Sequence, residues 1–145
     1  MVEKDLKFDS CVRMAVPMEP DQELEVARRA GELAGELGFG QDPIDEIKLA
    51  LIETVINAIE HGKSREGQVY ITFGLSRKPR RMTIIISDTG AGFNPQAVET
   101  PDIVKKMRKG ARKRGWGLKI IRSLMDEVRI DSSPTGTQIT LVKNG

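Results

Sequence analysis

Glu53 and Asn57 stand four residues apart in the stretch Asp42 to Gly62, whose remaining pattern is helical, so the spacing sets a carboxylate and an amide on one side of a helix. An amide oxygen suits a hard cation such as Mg²⁺, which takes few protein groups and completes its shell with water and phosphate oxygens. A glutamate beside it can orient water or accept a hydroxyl proton. Further along, Asp88-Thr89-Gly90-Ala91-Gly92 puts a carboxylate at the end of an apolar run, followed by two glycines. Glycines let the backbone approach a ligand closely, and a carboxylate accepts hydrogen bonds from an exocyclic amine. Gly115-Trp116-Gly117-Leu118 opens another helical stretch, with Lys113 and Arg114 just before it. Free N–H groups and the helix dipole favour a phosphate at such a start.

Each of these features also has a local explanation. Charges at helical spacing are usually a solvated stripe, and Glu46 and Glu60, which share the arc of Glu53 and Asn57, are read that way. Asp and Gly form turns for backbone reasons alone, and glycines at a helix start are common without any ligand. Gly62-Lys63-Ser64 is not a complete Gly-x-x-x-x-Gly-Lys-Ser/Thr phosphate loop, because Asn57 stands where its first glycine belongs, and no dinucleotide-binding fingerprint occurs. The single histidine, His61, reads as a favourable charge at a helix C-terminus, and Cys11 as a sheet residue.

The elements that must position these groups follow from periodicity. Leu6, Phe8, Ser10, Val12, Met14 and Val16 alternate with polar or small residues, as in a half-buried strand. From Asp21 to Leu37, Leu24, Ala27, Gly31, Ala34 and Leu37 recur at three- and four-residue steps, an amphipathic helix ended by Gly38 and Gly40. The central helix has Asp42 at a plausible N-cap, Pro43 in its first turn, and Ile44, Ile47, Leu51, Ile52, Val55, Ala58 and Ile59 around most of its circumference, which predicts burial. Residues 68–75 and 81–87 are strand-like with a hairpin loop at 76–80, and the second is apolar enough to be interior. Residues 94–114 read as a connection, 116–125 as a helix, and 127–131 and 137–142 as strands about a turn at 132–136. The order β-α-α-β-β-loop-α-β-β predicts an α+β two-layer sandwich, a mainly antiparallel sheet with helices on one face.

A chain of 145 residues is expected to form one domain with its own core. One cysteine excludes an internal disulfide framework and a thiolate metal site, which fits a reducing interior, so the cytoplasm is the expected compartment. No apolar run approaches the ~20 residues of a membrane span, and the first residues lack a signal-peptide layout. Seven of the 23 basic residues lie between Lys105 and Arg114, leaving 16 bases against 21 acids elsewhere, a net of −5. A mildly acidic body with one basic patch argues against a general nucleic-acid surface, and no aromatic is interleaved in the run before Trp116 for base stacking.

Taken together and in order, Glu53-x-x-x-Asn57-Ala58-x-x-His61-Gly62, Asp88-x-Gly90-x-Gly92-Phe93, Gly115-x-Gly117-Leu118 and Gly136-Thr137 closely resemble the N box and three glycine boxes of the GHKL ATPase superfamily. Within it, the length of the chain and the stretches IETVINAIEHG and LMDEVRIDSSPTGTQITL look like the bacterial anti-sigma factor serine kinases of the stress-response and sporulation type. The resemblance implies the Bergerat ATP-binding fold, ATP and Mg²⁺ as cofactors, Asn57 as the Mg²⁺ ligand and Glu53 as the catalytic base toward the acceptor hydroxyl. It further implies that Asp88 binds the adenine amine with Thr137 assisting, that Gly90 and Gly92 line the pocket, and that Arg114, Gly115, Gly117 and Leu118 cradle phosphates beneath a lid at 94–114. The chain departs from the usual, richer second glycine box by carrying Trp116 and a strongly basic approach.

The implied activity is phosphorylation of a serine on a STAS-type anti-anti-sigma protein, together with sequestration of a sigma factor, by a homodimer acting without membrane or direct nucleic-acid contact. Two related roles share the same motifs: a nucleotide-binding partner switch with little kinase activity, and a switch kinase that activates a phosphatase. A regulator acting on nucleic acid through the basic run stands apart from all of these, and it predicts strongly salt-dependent DNA binding.

Overall fold

The computed structural model describes residues 8–61, 67–88, 114–133 and 136–145. Strand β1 (Ser10–Pro17) leads to helices α1 (Gln22–Leu37) and α2 (Gln41–His61), then to β2 (Gln68–Arg77), β3 (Arg80–Ser87), α3 (Arg114–Leu124), β4 (Glu127–Ser133) and β5 (Gly136–Asn144). The five strands form one sheet in the order β1-β2-β3-β5-β4, and all four pairings are antiparallel. The helices cover one face, as expected for an α+β sandwich. Interior strand β3 pairs with β2 on one side and β5 on the other, which accounts for its nearly unbroken apolar sequence.

The core lies between that face and the helices. Val69, Ile71, Phe73, Met82, Ile84, Ile86, Ile139 and Leu141 of the sheet meet Val26, Ala30 and Leu33 of α1, Ile47, Leu51 and Val55 of α2, and Leu118 and Ile121 of α3. The opposite face of the central strands is enclosed too, with Thr83, Ile85, Thr140 and Val142 buried. Part of that enclosure comes from Phe8, whose ring lies on Gly74 where a Cβ has no room.

Several boundaries differ from the sequence expectation for identifiable reasons. In α1 the inward stripe is Val26, Ala27, Ala30, Leu33, Ala34 and Leu37, while Leu24 is 55% exposed. Rotating the helix this way buries valine and two leucines where a stripe through Leu24 and Gly31 buries less apolar area. Gly38, at φ 95°, ends it: its N–H donates to Gly35 O and that of Phe39 to Ala34 O, a Schellman arrangement. Helix α2 begins before Asp42, because the N–H of Ile44 already donates to Gly40 O and Gln41 Nε2 donates to Asp45 Oδ1 at 2.7 Å. Strands β2 and β3 pair through Arg77 and Arg80, so the turn is Lys78-Pro79 and not a five-residue loop.

One contact ties three elements together. Lys143, on β5, places its ammonium 2.8 Å from Glu46 Oε1 on α2 and donates to the carbonyl of Leu124 at the end of α3. Glu46 is therefore not merely part of a solvated stripe. A cation at the C-terminal end of α3 also meets the favourable pole of its dipole. The lysine side chain is only 11% exposed. Lys143→Met is expected to lower stability by about 1–2 kcal/mol, less than a fully buried pair because Glu46 remains half-solvated. Urea denaturation followed by circular dichroism measures this; an unchanged midpoint and slope contradict it.

Candidate functional site

The side chains of Glu53 and Asn57 are 5% and 3% exposed, although neither residue type is ordinarily buried. They sit one turn apart on the side of α2 that faces α3, and the facing residue there is Gly117. A Cβ on Gly117 would lie 3.4 Å from Glu53 Oε1, 3.5 Å from Asn57 Nδ2 and 3.8 Å from Asn57 Oδ1. Gly117 thus sets the first turn of α3 beside the carboxylate and the amide, and a Cβ there would meet both at ordinary contact distance.

The first four N–H groups of an α-helix have no partner inside it. In α3 these belong to Arg114, Gly115, Trp116 and Gly117, so the amino end of the helix, with its partial positive charge, is at the same place as Glu53 and Asn57. Leu118 follows with its side chain buried in the core, so any share it takes in holding a ligand is a main-chain one. Lys119 and Arg122 point to the exposed side.

Asn57 Oδ1 is buried and finds no hydrogen-bond donor among the described residues. A buried acceptor left without a donor is unfavourable unless a ligand supplies the missing contact. The structure thus fits a cation held by one amide oxygen. No cluster of three or more His, Cys, Asp or Glu among the described residues could hold a metal by itself, so such a cation takes most of its shell from elsewhere, as Mg²⁺ does from phosphate and water.

A second pair of expected residues also comes together. Asp88 follows the last residue of β3, and Thr137 lies at the start of β5, the neighbouring strand. The N–H of Asp88 donates to Thr137 O at 3.2 Å, and the N–H of Thr137 donates to Asp88 Oδ1 at 3.3 Å. Both side chains are buried. This reciprocal pairing fixes a buried carboxylate at the end of β3 against the start of β5. Ser132 was not expected here; its hydroxyl is 3.4 Å from that of Thr137, which it opposes across the β4–β5 hairpin. Aligning the two strands would have revealed it, since Ser132 and Thr137 pair next after Ser133 and Gly136.

The structure brings Glu53, Asn57 and Gly117 into one cluster, and Asp88 and Thr137 into another. Arg114 and Gly115 are in the first turn of α3, with the side chain of Arg114 outside the described residues. Gly90, Gly92, residues 94–113 of the lid expected at 94–114, and the basic run before Arg114 lie outside the described residues altogether. Glu60 is exposed at the end of α2, as expected, and Cys11 is an exposed residue of β1. Among the described residues no helix is long and apolar enough to cross a membrane.

Comparison with known proteins adds an independent observation. The family model described as the histidine kinase-like ATPase domain matches residues 16–143. The chain is 30% identical over 131 residues to the serine-protein kinase RsbW of Oceanobacillus iheyensis, spanning 83% of this chain and 78% of that protein. It is 28% identical over 141 residues to the serine-protein kinase RsbW of Bacillus velezensis, spanning 91% and 84% respectively. Among solved structures it resembles the RsbU and RsbW domains of a Mycobacterium tuberculosis protein, with a TM-score of 0.68 at 20% identity, over 92% of this chain and 32% of that longer one.

Proposed function

The chain belongs to the histidine kinase-like ATPase domain family, and from that premise we propose that it is an ATP- and Mg²⁺-dependent protein-serine kinase and anti-sigma factor working in a partner-switching module. The observation that carries this is the buried cluster of Glu53 and Asn57 against Gly117 at the amino end of α3. Support for the enzyme class comes from its likeness, over most of its length, to relatives named serine-protein kinase.

In this reading the adenine amine is received by Asp88, whose carboxylate is oriented by the N–H of Thr137. Gly115 and Gly117 leave the first-turn N–H groups of α3 open to the phosphates, with Arg114 and the main chain of Leu118 completing the cradle, while Gly90 and Gly92 line the pocket. Asn57 offers Oδ1 to Mg²⁺, which when bound neutralises phosphate charge and fixes the triphosphate. Glu53 stands one turn away to take the proton of an acceptor serine hydroxyl. Excluding water from this enclosed cluster strengthens each of these electrostatic contacts.

The proposed acceptor is a serine on a STAS-type anti-anti-sigma protein, and phosphorylation of that protein releases this chain to bind a sigma factor. A cytoplasmic homodimer is part of the same proposal. Incubation with γ-labelled ATP, Mg²⁺ and STAS-domain proteins of the source organism is expected to label one of them on serine, and to do so no longer when EDTA is added. Nucleotide binding without transfer to any serine would instead make the chain a binding switch.

A further inference from the structure

Phosphoryl transfer to a protein needs more than the serine itself, because a hydroxyl offers too little contact to hold the reacting atoms in line. The acceptor protein must therefore rest on a surface next to Glu53. On α2, Leu49 lies one turn before Glu53 and Ile56 three residues after it, and residues at these spacings share one edge of a helix. Leu49 is 45% exposed; with Leu24 it forms the pair of large hydrophobic residues exposed among those described. Ile52 and Ile56 are half-buried and continue from Leu49 at steps of three and four residues, whereas Ile44 and Ile59 of the same helix pack against the core.

Charge marks both ends of this strip. Asp45, one turn before Leu49, and Glu60, one turn after Ile56, are both exposed. The one lysine of α2, Lys48, turns away to lie against Gly31 of α1, where its Cδ would be 3.2 Å from a Cβ. The strip is thus apolar in the middle, acidic at its ends, and continuous with the catalytic carboxylate.

We propose that Leu49, Ile52 and Ile56, bracketed by Asp45 and Glu60, form the docking surface for the serine-bearing protein substrate, which presents there an apolar side chain flanked by basic groups. This rests on the kinase reading above. The apolar centre excludes water beside the reacting hydroxyl, and the acidic ends select and orient a basic partner.

The test uses the full chain and the STAS-domain protein that it labels with γ-labelled ATP. Leu49→Asp is expected to raise KM for that protein at least about tenfold, with kcat within about threefold, since a buried leucine contact is lost and a charge opposes docking. Affinity for Mg²⁺-ATP by calorimetry and the melting temperature stay as in the parent, which a merely structural role for Leu49 would not allow. Asp45→Lys, and raising salt from about 50 mM to about 500 mM with the parent chain, are each expected to raise KM as well. An unchanged KM in Leu49→Asp overturns the docking surface while leaving the kinase reading intact, because the parent still transfers phosphate. Absence of transfer by the parent overturns both. A parent that self-associates in sedimentation, with Leu49→Asp monomeric, assigns the strip to a second copy of the chain and overturns the proposal.

Discussion

Glu53→Gln is expected to lower phosphoryl transfer by about 10²- to 10⁴-fold while nucleotide affinity stays within a few-fold of the parent. Glutamine keeps the volume of the side chain, so Gly117 and Asn57 retain their neighbour, yet it cannot take a proton from a hydroxyl. Glu53 is buried on the side of α2 facing the start of α3, so solvent does not readily substitute for it as the base. Single-turnover transfer from labelled ATP separates this from a binding defect. Transfer at the parental rate would remove Glu53 from the chemistry and leave only a positioning role for the cluster.

Asn57→Ala is expected to weaken Mg²⁺-dependent ATP binding by about 10²-fold, the size of one lost contact to a charged group. The variant also makes a distinction that a folding defect cannot imitate. Oδ1 of Asn57 has no donor among the described residues, so deleting it removes an unfavourable buried acceptor along with the favourable packing of the side chain. The apo protein should therefore melt within a few degrees of the parent, whereas the rise in melting temperature that Mg²⁺-ATP gives the parent should largely disappear. Calorimetry with a nonhydrolysable ATP analogue, with and without Mg²⁺, measures the affinity directly. If the two proteins bind the analogue equally in the presence of Mg²⁺, the cation is held elsewhere.

These two variants and Lys143→Met touch α2 at different points. Lys143 ties Glu46 to the last turn of α3, while Gly117 brings the first turn of the same helix beside Glu53 and Asn57. Both ends of α3 are therefore tied to α2, the last turn through Lys143 of β5 and the first through the contact of Gly117 with Glu53 and Asn57. A change at Lys143 is expected to show in stability first, whereas changes at Glu53 and Asn57 show in transfer and in binding.

Much of this was legible in the residue order. Period-2 and period-3.6 patterns gave the eight elements of the described residues in their correct sequence, and local chemistry marked their ends, as with Gly38 after α1. The spacing of Glu53 and Asn57 put them on one side of a helix, and the four boxes in order pointed to the family that the comparison independently supports. Local periodicity is a property of consecutive residues, so it survives without knowledge of the fold.

What the sequence could not decide were relations between residues distant along the chain. The stripe drawn through Leu24 turned out to be rotated, because the face a helix buries depends on what packs against it, not on its own pattern alone. Glu46 looked solvated until Lys143, 97 residues later, was placed beside it. The closeness of Gly117 to Glu53 and Asn57, the reciprocal bonding of Asp88 with Thr137, and the exposure of Leu49 all depend on how elements are stacked. Sequence alone determined which carboxylates, amides and glycines the chain carries and in what order; only tertiary packing decided which of them are buried side by side, since burial and mutual distance arise from the summed contacts of the whole core.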